Sequence, residues 1–265
     1  MDNRPIGIFD SGVGGLTVVK QIIKALPNED IIYFGDTARV PYGSKSKETV
    51  TKFSSQIIRF LLSKDVKAII IACNTVSSNC FDELTKEFSV PIIEVVTPGV
   101  ESCVSATKNN IVGIIGTEGT IKSKAYEKKI KEINPFIKVY SKACPLFVPI
   151  AEEGWTDNEV ARLTVESYLK ELIEKNIDSI VLGCTHYPLL KKCIGKVVGE
   201  NVKIVDPAFA TALKLKEFLE KNDMLAKNNG SLNFFVSDNT NKFDAICKST
   251  LKKDCSAEKI EIDKY

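Results

Sequence analysis

The chain has 265 residues, 44% hydrophobic and 26% charged, and its 36 Lys and Arg against 34 Asp and Glu leave a net charge of +2. Those values describe an ordinary globular protein, long enough for one large domain or two small ones; so even a balance argues against nucleic acid or a membrane as partner. No apolar run approaches the length that spans a bilayer, and Met1-Asp-Asn-Arg-Pro-Ile-Gly7 resembles no signal peptide, which predicts a cytoplasmic protein.

The first predicted strand, Pro5–Phe9, runs into Asp10-Ser-Gly-Val-Gly-Gly15-Leu-Thr17, a glycine-rich turn that opens a helix. Glycines there let backbone N–H groups approach an anion at a helix N-terminus. Thr17, however, stands where a dinucleotide fingerprint has its third glycine, and Asp10 would repel a pyrophosphate. A carboxylate at that strand end suits a substrate ammonium or tunes a nearby proton carrier; the plain structural reading is a turn with Asp10 as helix cap.

A second strand, Ile31–Phe34, leads to the polar loop Gly35-Asp36-Thr-Ala-Arg-Val-Pro41-Tyr42-Gly43-Ser44. Ser44 or Ser46 can cap the helix predicted over Lys47–Ser63, and Tyr42 and Gly43 can equally offer donors to a small ligand. The β-branched run Ala68–Ala72 ends on Cys73. Strands follow at Ile92–Val95, Ile111–Ile115 and Lys138–Tyr140, with helices over Lys122–Lys131 and Asn158–Lys175. Ser179–Leu182 ends on Gly183-Cys184, and Lys203–Val205, a helix, Leu232–Val236 and a final helix complete the chain. Such alternation predicts an α/β fold of mainly parallel sheets flanked by helices.

The pattern repeats. Ile6-Gly-Ile-Phe-Asp10-Ser11 matches Val112-Gly-Ile-Ile-Gly116-Thr117 at an offset of 106 (112 minus 6), and Cys184 lies 111 residues beyond Cys73 (184 minus 73). Ile32-Tyr33 has its counterpart in Val139-Tyr140. Two related α/β domains follow, divided near Thr97-Pro98 and Asp206-Pro207, where proline punctuates the pattern. The expected division is 1–97 plus 208–265 for the first and 98–207 for the second.

There are eight cysteines, at 73, 80, 103, 144, 184, 193, 247 and 255. No Cys-x-x-Cys pair or common zinc spacing is present, and a cytosolic location argues against structural disulfides. The ordinary reading of any one cysteine is a buried, inert thiol. Cys73 and Cys184 differ because each ends a strand, and ligands of open parallel sheets gather outside the carboxyl ends of strands. If the two halves face each other, one thiol lies on each side of whatever is bound. That arrangement can take a proton from one face of a carbon and return one on the other. His186, the only histidine, follows Cys184 by two residues and can pair with its thiol. Glu152 and Glu153 are adjacent, so at most one points inward.

Four blocks, Gly7-Ile-Phe-Asp-Ser-Gly-Val-Gly-Gly-Leu-Thr17, Gly35-Asp-Thr-Ala-Arg-Val-Pro-Tyr-Gly43, Ala72-Cys-Asn-Thr75 and Gly183-Cys-Thr-His-Tyr-Pro-Leu-Leu190, together resemble the glutamate racemases of the aspartate/glutamate racemase superfamily. The resemblance implies a cofactor-independent, metal-free enzyme that interconverts L- and D-glutamate and supplies D-glutamate for peptidoglycan. It implies two pseudosymmetric domains with the site in the cleft between them. Carried onto matching positions, it makes Cys73 and Cys184 the two acid/base residues, with Asp10 assisting near Cys73, and Glu152 and His186 assisting near Cys184. Glu152 is preferred to Glu153 because Phe147-Val-Pro-Ile-Ala151 precedes it. The expected substrate-binding set is Asp10, Ser11, Asp36, Tyr42, Gly43, Asn74, Thr75, Thr117, Thr185 and His186. No nucleic acid or membrane is required; a homodimer is the expected assembly, though no residue pattern specifies it.

Three other readings stay open on the residues alone. Aspartate racemase, or another two-cysteine amino-acid racemase, differs by as little as one methylene in the substrate. A non-catalytic α/β protein could use Asp10–Thr17 as an anion cradle. A redox-sensing dithiol predicts that Cys73 and Cys184 cross-link under mild oxidant.

Overall fold

The β-branched runs pair as parallel strands in a computed structural model that describes residues 1–227 and 229–265. The first half of the chain gives β1 (Ile6–Asp10), α1 (Leu16–Ala25), β2 (Ile31–Gly35), α2 (Lys47–Leu62), β3 (Ala68–Ile71), α3 (Asn74–Glu87), β4 (Ile92–Glu94) and α4 (Val96–Ala106). Then come β5 (Ile111–Gly116), α5 (Glu118–Ser123), α6 (Ala125–Ile133), β6 (Lys138–Ala143), α7 (Phe147–Glu152), α8 (Glu159–Glu174), β7 (Ser179–Gly183), a 3-10 turn at Tyr187–Leu190, α9 (Lys191–Val198) and β8 (Lys203–Val205). The chain finishes with α10 (Pro207–Lys221), β9 (Leu232–Val236), α11 (Thr240–Leu251), β10 (Ala257–Lys259) and a 3-10 turn at Ile262–Lys264.

The strands form two sheets, one of six strands in the order β10-β9-β2-β1-β3-β4 and one of four in the order β6-β5-β7-β8. All recorded strand pairs are parallel. The order β2-β1-β3-β4 recurs as β6-β5-β7-β8, so the weak sequence repeat is a repeat of topology, and the fold is pseudosymmetric α/β. Side chains alternate across each sheet. Ile6 and Ile8 of β1 join the layer of α1 and α10, while Phe9 joins that of α2 and α3. Ile180 and Leu182 of β7 pack with α8 and α9, and Val181 with α4 and α6. Both faces of each sheet are covered, which is why the strands read as continuous apolar runs.

Two sequence expectations are corrected and one strand is added. The helix read across Lys122–Lys131 breaks at Lys124, whose φ of +57° turns the chain between α5 and α6. The exclusion of disulfides fails at the C-terminus: the turn from α11 into β10 brings Cys247 and Cys255 to a Cα separation of 6.1 Å and they are bonded, while the other six cysteines are free and buried. β10 was not foreseen, because an exposed three-residue edge strand carries no apolar run to announce it. No helix of the described residues is long and apolar enough to cross a membrane.

A fully buried ion pair fastens the far end of the larger sheet. Lys67 Nζ lies 2.6 Å from Glu29 Oε2, with side-chain exposures of 0% and 1%. Lys67 also donates to the carbonyls of Asp2 and Met224, each at 2.6 Å, and Glu29 Oε1 accepts from the Ala226 N–H at 2.8 Å. Removing one partner strands the other charge in the core. Lys67→Met should therefore cost about 3–5 kcal/mol in urea unfolding, with most of it recovered in the double variant Lys67→Met/Glu29→Leu. A single variant costing under about 1 kcal/mol would mean that the pair does not hold this region.

Candidate active site

In both sheets the strands deliver their residues at the carboxyl ends. Asp10 ends β1, Cys73 follows β3 and precedes the first residue of α3, Thr117 follows β5, and Cys184 follows β7. Residues from the strand ends of both sheets line one cavity of about 340 Å³, within the usual size range of small-molecule sites. Cys73 and Cys184 are both on its wall, together with Ser11, Tyr42, Gly43, Asn74, Thr75, Thr117, Glu152, Thr185 and His186.

Contacts between the halves shape the cavity. Thr75 and Thr117, each following a strand of a different sheet, bring their hydroxyls to 2.9 Å. Thr17 donates to the Thr185 carbonyl at 2.9 Å, and Thr185 donates through Oγ1 to Asp10 Oδ1 at 3.2 Å. Asn74 is held by the Tyr126 hydroxyl, which donates to Asn74 Oδ1 at 2.6 Å. The glycine-rich turn is tight here for a steric reason. A Cβ on Gly14 would sit 2.4 Å from Thr185 Oγ1 and 2.5 Å from His186 Nδ1. The glycines thus let two strand ends touch, and the turn is not laid out as the anion cradle that its composition also allowed.

The surroundings of the two thiols differ. Cys73 Sγ lies 3.6 Å from Ser11 Oγ, to which it donates. Burial, and next the nearby Asp10 carboxylate, push the Cys73 thiol up to about 12, against the opposing pull of the Val76 N–H at the start of α3 and of Ser11. Asp10 is itself raised, chiefly by burial, although it accepts from the Gly12 N–H at 3.1 Å. On the other side, Cys184 Sγ is 3.9 Å from His186 Nδ1, and His186 Nε2 is 3.1 Å from Glu152 Oε1. Burial pulls the imidazole down, but Cys184 and Glu152 outweigh it and hold His186 up at about 10. Glu152, hydrogen-bonded first to His186 and also to Lys242, is held down at about 2 despite partial burial. His186 therefore carries a proton at neutral pH between a sulfur and a carboxylate.

Two expected binding residues sit behind the wall. Asp36 is fully buried, and its carboxylate is taken up by the hydroxyls of Tyr42 and Ser237 and by Arg39 Nε at 2.7 Å. It fixes Tyr42, which does line the cavity, instead of meeting a ligand. Asp10 likewise faces Thr185 and Gly12 from behind Ser11. Of the two serines considered as caps, Ser46 accepts from the Thr49 N–H at the start of α2 and Ser44 lines the cavity. Glu152 is half-buried and reaches His186, whereas Glu153 is exposed.

Sequence reading missed Tyr126, Lys242, and the apolar wall of Pro145, Val148 and Pro149. Val148 and Pro149 lie within the Phe147–Ala151 stretch already singled out for placing Glu152; Tyr126 and Lys242 carry no local signal. Among the described residues no group of three or more His, Cys, Asp and Glu is placed to hold a metal ion.

A model of the Asp/Glu/Hydantoin racemase family matches residues 6–215. The glutamate racemase of Geobacter metallireducens is 56% identical over 237 residues, 89% of this chain and 88% of that one. Among solved structures, the glutamate racemase isoform RacE1 of Bacillus anthracis superposes with a TM-score of 0.95 at 38% identity, over 98% of both chains. Glutamate racemase of Francisella tularensis, solved with D-glutamate, superposes with a TM-score of 0.93 at 43% identity over 100% of both.

Proposed function

This chain belongs to the Asp/Glu/Hydantoin racemase family, and we propose on that premise that it interconverts L- and D-glutamate by proton transfer between its two cavity thiols and the α-carbon. The observation that carries the reading is the placement of Cys73 and Cys184 at corresponding strand ends of two like sheets, on the wall of one cavity. D-Glutamate made this way supplies peptidoglycan synthesis. The reading includes domains at 1–97 plus 208–265 and 98–207, a cytoplasmic location and a homodimer, the last to be read by sedimentation velocity.

One cysteine, as thiolate, removes the α-proton while the other, as thiol, donates to the opposite face; after turnover their protonation states are exchanged. Asp10 stands behind Cys73, and His186 with Glu152 stands behind Cys184. The α-proton is a weak acid, and no cofactor sink enters this reading. Negative charge developing on the α-carboxylate falls instead on fixed donors, in this reading those of Asn74, Thr75, Thr117 and Thr185. Groups positioned in advance in a water-poor site spend nothing on reorganisation as the charge develops.

The test is incubation of the purified, cofactor-free protein with L-glutamate in D₂O. Loss of optical activity to zero with deuterium at the α-carbon, and no response to L-aspartate, supports the reading. Turnover of aspartate instead would move the assignment to that racemase. Silence with both, in folded and reduced protein, would point to a binding protein.

A pH prediction follows. The equilibrium constant of racemisation is one, so kcat/KM must be equal for the two enantiomers at every pH. It tracks the dithiol that has lost one proton and falls only when the second leaves. With Cys73 pushed up to about 12 and His186 to about 10, the loss of further protons belongs above the neutral range. From roughly pH 7 to 9, kcat/KM should climb or level without a descending limb. A decline within that window, in protein that stays folded, would contradict the raised Cys73.

A further inference from the structure

We propose that Lys242 is a positioning residue for the Cys184 side of the reaction, holding the Glu152 carboxylate so that its other oxygen orients His186. The proposal rests on the racemase reading above. Lys242 Nζ donates to Glu152 Oε2 at 2.9 Å, and Glu152 Oε1 meets His186 Nε2 at 3.1 Å. Each carboxylate oxygen thus has one partner, and the chain of contacts runs from Lys242 through Glu152 and His186 to Cys184.

Glu152 needs such a second hold. It is the last residue of α7, a six-residue helix, and its side chain keeps 21% of its surface exposed. A carboxylate so placed can swing to water and leave the imidazole without an orienting partner. Lys242 comes from the other half of the molecule, in the first turn of α11, where its own N–H is capped by Asn239 Oδ1 at 3.3 Å. Phe243 and Cys247 on the same helix are buried, so the backbone that carries the ammonium is fixed. Contact with Glu152 therefore forms only when the halves stand as they do here. Stability does not account for the pair. The Lys242 side chain is 46% exposed, and ion pairs of that kind contribute about 0–1 kcal/mol.

Other charged groups face the same atoms: Asp10 and Cys184 act on His186, and Glu153 acts on Lys242. The test must separate positioning from simple charge, and the single histidine allows it, since one imidazole gives one NMR titration. In Lys242→Met the His186 midpoint, about 10 in the native protein, should fall by about a unit or more as Glu152 swings away. In the same variant kcat should drop roughly tenfold with KM within about twofold, and Lys242→Arg should restore both. An unchanged midpoint overturns the proposal. So does a raised one, because that is the response expected if Lys242 only competed with His186 for the charge of Glu152. Equal losses in the Met and Arg variants also overturn it. Lys242→Gln, with a neutral donor, is read in place of Lys242→Met should that variant not fold. The titration is done without substrate, so it judges the contact itself; absent turnover in the unaltered enzyme would count against the racemase reading.

Discussion

Cys73→Ser is expected to lower racemisation of both glutamate enantiomers by on the order of 10³-fold or more while leaving the fold intact. The substituted oxygen is only slightly smaller than sulfur, so neither packing nor cavity shape explains the loss. Chemistry does. An alcohol is a far weaker acid than a thiol, and the burial and Asp10 charge that already push Cys73 up to about 12 would act on it as well. Because both directions pass through both residues, L- and D-glutamate must lose activity together. The remaining thiol can still remove and return a proton on its own face. A single-thiol variant should therefore exchange the α-hydrogen of one enantiomer with solvent without losing optical rotation. Near-normal turnover by Cys73→Ser would sink the two-thiol scheme.

Gly14→Ala is expected to cost on the order of 10²-fold in kcat/KM, because displacements of about 1 Å at a reacting centre carry penalties of that size. Gly14 does not have a positive φ, so alanine meets no backbone strain. The obstacle is purely spatial. The added carbon would lie 2.4 Å from Thr185 Oγ1 and 2.7 Å from His186 Cε1, inside any permitted contact. Neither neighbour is a loose chain end: the Thr185 carbonyl is held by Thr17 and His186 by Glu152. The halves must move apart at the point where Cys184 is presented. Unfolding free energy should fall by only about 1–3 kcal/mol. Parallel losses of stability and activity on heating would instead mean a folding defect, and full activity would show that the turn yields without disturbing the thiols.

Much of this architecture is legible because buried parallel strands are written as unbroken β-branched runs. Ala68–Ile71 and Ser179–Gly183 point to their own strand ends, and the two cavity cysteines come within two residues of them, Cys73 after Ala72 and Cys184 directly after Gly183. The repeat is legible because duplicated topology keeps duplicated spacing. What depends on pairing across long separations is not legible. Asp36 reads as a candidate ligand for substrate, yet Ser237, two hundred and one residues further on, and Arg39 claim its carboxylate. The choice of Glu152 over Glu153 is decided by which side of a short helix meets His186, and Lys242 reaches Glu152 across ninety residues. The bond between Cys247 and Cys255 follows from one turn of chain and not from compartment, on which the expectation against it rested.

An enzyme whose two substrates are mirror images is itself built from amino acids of one hand. Its repeated strand order relates the two halves by rotation; reflection is not open to it. Rotation can bring a sulfur to either side of a carbon, but it does not oblige the two sides to match. Here they do not, since one sulfur rests against a serine and the other against an imidazole. The two resting forms of the enzyme, each ready for one hand of substrate, are therefore unequally populated. Thermodynamics ties together only the ratios kcat/KM. A saturated enzyme is left free to run faster in one direction, with the matching difference in KM restoring the balance.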